Sequence, residues 1–482
     1  MYCAIDLGSS ALKCLLLTPD GRLAGSGKAA VTIVQRDGRY SSDPALWRAA
    51  LQAALRQALQ QLPPGSPPIE ALAITGQGPS LLAVDAAGQP IGLASPWQER
   101  GATDQATRIA AAAASLGLDG PAVDASFYLA KALRLLEDCR QRPSGPRPAI
   151  FFSAPEYLAW VLGAEPVAYL ADDFYDRFVW FRPLHDRLGL DGRLFPDYVR
   201  PGTTIGAVSP AAATEYGLPS GARIVAAFPD FLAALAGSGT VRPGWAVDRS
   251  GSSEAINLCT AAPLSNSRLF CLPHLVPGLW NASGGVSCSG RSLVWLQQAL
   301  GFDSIDAIFA TAASAPPGAN GAIFLPWLDG ERAPLWDSRL RGGWQGLAAS
   351  TARADLARAA LEGIVYGLRL SLDAMQAAGQ RPSRLRLSGA AARNPFMCQL
   401  KADIFGLELE GLQLAEAECV GAACACSLAL RRAASWEEAA GQLVHPGRTW
   451  QTALASRAAY EEQYQRFRAA TRAAIDVARQ HL

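Results

Sequence analysis

Six stretches of this chain combine residue types and spacing that could do chemistry. Asp6 closes a short apolar run and is followed by Gly8-Ser9-Ser10 and then Lys13. A turn of that kind gathers backbone N–H groups and two hydroxyls around one point, which suits phosphate oxygens, and Asp6 is placed to hold Mg²⁺. On these residues alone an ordinary β-hairpin explains the pattern as well. Asp230 follows Phe228-Pro229 where an apolar strand meets a small-residue helix, a place for either a helix cap or a catalytic carboxylate at the mouth of a crevice. Gly76-Gln77-Gly78 and Pro96-Trp97-Gln98-Glu99-Arg100 bring an amide, an aromatic face, an acid and a base onto loops, a lining for a polyhydroxylated ligand or a surface loop with a packed tryptophan. Ala246 to Ser253 echoes Ala4 to Ser10 with one residue inserted, so Gly251-Ser252-Ser253 reads as a second copy of the first turn. Ser388-Gly389-Ala390 to Arg393-Asn394 opens a helix with small residues, where a flat ring or a phosphate can approach the backbone.

The elements that must position these groups follow from periodicity. Tyr2 to Ile5, Leu12 to Leu17 and Arg22 to Val31 read as three antiparallel strands, and Ser42 or Asp43 caps a helix carrying Trp47, Leu51, Leu55 and Leu59. Ile69 to Thr75 is a strand, and Leu81 to Val84 reads as one arm of a hairpin turning through Asp85 to Gly88. Pro121 to Asp197 is mostly helical in pattern, and Ala222 to Ala227 is the strand before Asp230. In the second half, Ala255 to Cys259, Phe324 to Leu328 and Leu385 to Leu387 are strands. Asp355 to Ala378 is a long helix, and the small-residue helix from Gly421 to Leu430 is expected to pack beneath the 385–387 strand.

The chain has 482 residues, half of them apolar, enough for at least two domains because single cores stop growing at roughly 250–300 residues. Its 43 basic and 42 acidic residues give no field that would attract nucleic acid or an anionic membrane. No uncharged apolar run reaches the roughly 18 residues that span a bilayer, and no secretory leader is read at the start. Ten cysteines scattered through apolar segments fit buried thiols in a reducing cytoplasm, and neither they nor the four histidines have metal-ligand spacing. Any metal should be Mg²⁺ on carboxylate and phosphate oxygens.

Taken in order, Asp6-Leu-Gly-Ser-Ser to Lys13, Gly76-Gln77, Trp97 to Arg100, Asp230, Gly251 to Ser253, Leu325-Pro326-Trp327 to Pro334, Ser388-Gly389 to Asn394 and Gly421-Ala422-Ala423 resemble the FGGY carbohydrate kinases, in type the pentulose kinases. The resemblance covers nearly the whole chain. It implies an α/β, actin-like sugar kinase fold. Two ribonuclease-H-like domains, a sugar-binding one over 1–240 and a nucleotide-binding one over 241–482, lie around a central cleft. It implies ATP and Mg²⁺, and a small sugar, a ketopentose such as xylulose, as the acceptor. Asp230 matches the general base and Asp6 the Mg²⁺ side. Gly8, Ser9, Ser10, Lys13, Gly251, Ser252 and Ser253 match the phosphate holders, and Gly389, Ala390, Arg393 and Asn394 the adenosine border. Gln77, Gly78, Trp97, Glu99, Arg100 and Asp230 face the sugar.

The chain departs from the family pattern at identifiable places. Xylulose kinases read Gly-Gln-Met-His-Gly where this chain has Gly76-Gln77-Gly78-Pro79-Ser80, and the Arg-Glu pair of glycerol kinases is absent. Phe228 and Pro229 replace the glycines before the catalytic acid, and Ala390 to Ala392 replace those beside the adenosine. These changes leave two alternatives open: a kinase for another ketose or polyol, and a non-catalytic sugar or nucleotide sensor on the same fold. The number of copies in the assembly is open too, a homodimer being one outcome.

Overall fold

The computed structural model describes residues 1–118, 123–142, 144–265 and 268–480. The chain forms two compact units, Met1–Gly237 with Glu418–Leu443, and Ser238–Ala417 with Val444–Leu482. A single cut at 240/241 assigns Glu418–Leu443 to the second half, whereas it folds with the first. The physical reason is a helix contact without side chains. A Cβ built on Gly421 would stand 1.9 Å from the carbonyl oxygen of Ala233, so the Ala417–Ala429 helix lies backbone to backbone against the Asp230–Gly237 helix. This corrects the expected place of the small-residue helix beneath the 385–387 strand.

The first unit is built on a six-stranded sheet in the spatial order Thr204–Ala207, Arg223–Val225, Ala71–Gly76, Tyr2–Leu7, Ala11–Leu17, Leu23–Ala30. Tyr2–Leu7 runs antiparallel to Ala11–Leu17 and parallel to Ala71–Gly76. Both central strands are buried at every position, as near-continuous apolar runs covered on two faces should be. Asp43 caps the Pro44–Leu59 helix by accepting from the Ala45 N–H at 2.9 Å. That helix buries Trp47, Leu51 and Leu55 completely, each burial contributing about 1.5–3 kcal/mol.

Beyond the sheet, Leu81–Val84 pairs with Ile150–Ser153 rather than with its own return arm. The return arm meets it only through single bridges, Val84 to Pro90 and Leu81 to Ser95. Pro90 has no N–H to extend a ladder, and the apolar Ile150–Ser153 run takes the open edge. Of the stretch read as mostly helical, Tyr128–Arg140 and Ala154–Leu162 are α-helices. Val167–Tyr169 and Asp197–Val199 are instead short parallel strands joined through brief helical turns. Pro121, the start of that stretch, lies outside the described residues.

The second unit carries a seven-stranded sheet in the order Phe270–Pro273, Trp280–Val286, Glu254–Thr260, Trp245–Ser250, Arg384–Gly389, Leu409–Leu412, Pro446–Trp450. Each unit thus holds a run of antiparallel strands, extended from its first strand by two parallel strands and ended by an antiparallel edge. The sequence echo marks a duplicated sheet. The register shows where the echo slips. Gly76 ends its strand opposite Leu7 and Gly389 ends its strand opposite Ser250, so Asp6 stands one residue before the reference point and Asp248 two. A one-residue shift turns a strand side chain to the other face, and the two aspartates are therefore not equivalent.

Candidate active site

The first turn closes between Leu7 and Leu12, with the Gly8 N–H donating to Ala11 O at 3.0 Å. Asp6 is 4 % exposed, a consequence of lying in a strand covered on both faces. Lys13, its cross-strand partner, brings Nζ to 3.3 Å from Asp6 Oδ2. Burial pushes the Asp6 carboxyl up to about 7 against the pull of Lys13, and the charges of Glu418 and Asp230 push it the same way as burial. Burial works against the Lys13 ammonium, but Asp6 and Glu418 outweigh it and hold its pKa above the ordinary value. Glu418, which sequence reasoning missed, arrives on the helix that folds back from the far end of the chain. Only its closeness to the small-residue run at Gly421 could have flagged it.

Asp230 is held beside this turn by the strand Ala71–Gly76. The buried Thr75 hydroxyl donates to Phe228 O at 2.6 Å, and Gly76 bridges to Pro229 as in a parallel pair. Pro229 O accepts from the Leu232 and Ala233 N–H groups, so Asp230 is the first helical residue. The bulk of Phe228 is accommodated away from the acid, its ring lying 4.8 Å from that of Trp436.

The expected sugar side is assembled by a lysine that the sequence did not single out. Lys131, 3 % exposed, donates through Nζ to Pro79 O at 2.6 Å and to Pro96 O at 2.7 Å, tying the Gln77–Ser80 segment to the loop of Trp97 and Arg100. Gln77 is 3 % exposed, and neither its amide oxygen nor its amide nitrogen has a partner; the buried Ser80 hydroxyl has none either. The Tyr128 hydroxyl stands 2.8 Å from where a Cβ on Gly78 would be, so a side chain at 78 would collide with it. Trp97 is half-buried and Arg100 exposed. Glu99 turns inward: its carboxylate accepts from Tyr40 N at 2.7 Å, Gly101 N at 3.0 Å and Arg134 at 3.2 Å. Protein donors occupy it, which fits a loop anchor.

In the second unit the Gly251–Ser253 turn and the Gly389–Asn394 segment meet at Ser250, another residue missed from sequence. Its hydroxyl donates to Ser388 O at 2.7 Å and accepts from Ala391 N at 2.9 Å, while its carbonyl accepts from Ala390 N at 3.2 Å. A Cβ on Gly389, at φ +81°, would lie 1.9 Å from Ser250 O, so only glycine fits there. The Asn394 side chain caps the Pro395–Phe405 helix by accepting from Met397 N, and Arg393 pairs with Glu416. Ala391 and Ala392 pack against the core of this unit, while Ala390 is exposed.

The N-terminal domain pattern of the FGGY family of carbohydrate kinases matches residues 1–116, and the C-terminal domain pattern matches residues 248–430. The chain belongs to the FGGY family of carbohydrate kinases and has its two-unit, actin-like fold. Phosphoryl transfer from ATP to a carbohydrate is the activity of this class. A xylulose kinase of Staphylococcus epidermidis is 28 % identical over 429 residues, 87 % of this chain and 86 % of that protein. A glycerol kinase of Gloeobacter violaceus is 29 % identical over 450 residues, 88 % and 87 % of the two chains. Among solved structures, a ligand-bound xylulose kinase from Lactobacillus acidophilus superposes with a TM-score of 0.82 at 21 % identity, covering 100 % of this chain and 99 % of that one. A gluconate kinase from the same organism gives 0.80 at 21 %, covering 98 % and 97 %.

Proposed function

We propose that this chain transfers the γ-phosphoryl group of ATP to a hydroxyl of a small sugar, a ketopentose such as xylulose, with Asp230 as general base. Asp230 accepts the proton of the attacking hydroxyl, and the remaining work is positioning and charge neutralisation. One observation carries the reading: a single strand end supplies both reader and base. Gln77, with both ends of its buried amide unpartnered, directly follows the strand that anchors the Asp230 segment through Thr75 and Gly76. Such an amide is costly to bury unless a ligand completes it.

Gly78, Trp97 and Arg100 complete the sugar side, and Glu99 holds their loop. In the first unit Gly8, Ser9, Ser10 and Lys13 are phosphate holders, in the second Gly251, Ser252 and Ser253 are, and there Gly389, Ala390, Arg393 and Asn394 border the adenosine. The methyl groups of Ala391 and Ala392 are directed to the core, so they leave that border open. Asp6 suits Mg²⁺: it offers a hard carboxylate oxygen, and the neighbouring charges of Glu418 and Asp230 would be relieved by a dication. Among the described residues no group of three His, Cys, Asp or Glu side chains forms a metal cage. Bound there, Mg²⁺ supplies neutralisation of phosphate charge.

The relatives named xylulose kinase support a ketopentose, while Gly78-Pro79-Ser80 alters the polar contacts on that side. All ten cysteines are free, in keeping with the reducing compartment of a cytoplasmic enzyme. Among the described residues no helix is long and apolar enough to cross a membrane. ADP release across ketopentoses, ketohexoses and polyols tests the reading. Sugar-stimulated release, strongest with a ketopentose, is the expected result. A ketohexose or polyol as best acceptor would overturn the sugar assignment, and sugar binding without turnover would replace catalysis by sensing.

A further inference from the structure

Beneath the Gly251–Ser253 turn lies a fully buried charge cluster that the proposed chemistry does not use. Asp248 and Ser250 alternate on one face of their strand, and Glu254 is the cross-strand partner of Ser250, so Asp248 and Glu254 share that face as diagonal neighbours. Lys401 reaches them from the Pro395–Phe405 helix, its Nζ donating to Asp248 Oδ2 at 2.7 Å and also to Glu254 Oε1. The Asp248 and Glu254 side chains have no exposed surface, and that of Lys401 is 2 % exposed. The second Glu254 oxygen accepts from the Ser289 hydroxyl at 2.5 Å. The next two residues, Gly290 and Arg291, donate their N–H groups to Gly251 O at 3.2 Å and Ser252 O at 3.1 Å. The two carboxylates therefore flank the turn in sequence, and one ammonium holds both.

We propose that Lys401 is a positioning residue for the nucleotide. By pairing with Asp248 and Glu254 at once, it fixes the two strand ends between which Gly251, Ser252 and Ser253 receive phosphate. The proposal rests on the reading of that turn as a phosphate site. Burying three charged groups is expensive, and apolar residues of similar volume commonly serve stability as well, so what the cluster adds is geometry. Burial disfavours the Lys401 ammonium, yet Asp248 and Glu254 outweigh it and raise its pKa, while burial holds Asp248 up at about 8. The Cys398 thiol also faces these groups and is raised first by burial, with Lys401 and Arg448 lowering it and Asp248 and Glu254 raising it.

Lys401→Met removes the ammonium and keeps the length. The expected result is a KM for ATP raised roughly tenfold or more, as when a supporting contact is lost, with the KM for sugar within about twofold of wild type. The triple variant Lys401→Met, Asp248→Asn, Glu254→Gln leaves no buried charge unpaired but also no bridge. Its melting temperature should recover while the KM for ATP stays raised, and recovery of the ATP affinity would overturn the positioning role. An unchanged KM for ATP in Lys401→Met, or equal loss of ATP and sugar affinity, would overturn the proposal. Should Lys401→Met fail to fold, Lys401→Gln replaces it, and the same selective rise in KM for ATP is required. Gly251→Val separates the two levels: if it leaves the KM for ATP unchanged, the phosphate reading itself is wrong. If it raises that KM while Lys401→Met does not, only the role of Lys401 fails.

Discussion

Thr75 donates its hydroxyl to the carbonyl oxygen of Phe228 at 2.6 Å, fully shielded from solvent, and this bond sets where the helix of Asp230 begins. Three residues of a loop are thereby tied to a strand that carries Gln77 immediately after its end.

Thr75→Val keeps the shape and deletes that donor, leaving a buried carbonyl unpaired at a cost of roughly 1–3 kcal/mol. The melting temperature should fall modestly, and kcat should fall more than the KM for sugar rises, because the base is displaced while the reader stays. Wild-type kcat in a folded variant would separate Asp230 placement from Thr75.

Asp230→Asn tests the base itself. Removing the proton acceptor should lower turnover by roughly 10²–10⁴-fold while ATP and sugar still bind. As the first residue of its helix, Asp230 also adds a favourable charge near the helix N-terminus, worth about 0.3–1 kcal/mol, so the thermal melt should move only slightly. Steady-state kinetics with calorimetry for each ligand distinguish this from a purely structural acid, for which turnover would be unchanged.

Much of the framework is legible in the chain because central strands betray themselves as short runs rich in apolar residues. Tyr2–Leu7, Ala11–Leu17, Ala71–Gly76 and Arg384–Gly389 fall where periodicity expects them, each carrying a turn or a small-residue junction at its end. What stays hidden depends on return visits of distant segments. Glu418 reaches Asp6 only because the Ala417–Ala429 helix docks through Gly421 onto the helix of Asp230, a contact that no local pattern encodes. Lys131 and Ser250 act through backbone carbonyls and amides of other segments, and a lone lysine or serine in an apolar run gives no sign of that. The Asp6 and Asp248 echo misleads for a geometric reason, since one inserted residue sends the second acid to the opposite face of its strand, under Lys401.

Gln77→Leu should trade binding for stability. The buried amide has no protein partner, so an apolar side chain of similar size should raise the melting temperature of the ligand-free protein. The same change should raise the KM for sugar roughly tenfold, the worth of one or two neutral hydrogen bonds, with the KM for ATP unmoved. A lowered melting temperature with unchanged sugar affinity would show that the amide serves the fold alone.

Lys131 makes stability depend on pH in an unusual direction. Burial pushes its ammonium down to about 7 in spite of Glu99 and Asp124, whereas the unfolded chain keeps the ordinary value of 10.5. Between those two values the unfolded state binds more protons than the folded one, so the contribution of this residue to stability rises with pH from about 7 to about 10.5. Below pH 7 both states are protonated, and the penalty of the buried charge is fully present. Lys131→Met removes the titration, so urea melts of wild type and variant at pH 7 and pH 9.5 should show the wild type gaining relative to the variant at the higher pH. The variant also frees Pro79 O and Pro96 O from their shared donor, so the KM for sugar should rise at both pH values. A constant difference in stability between wild type and variant across this range would mean that Lys131 keeps an ordinary pKa, and an unmoved KM would mean that the two segments hold their places without it.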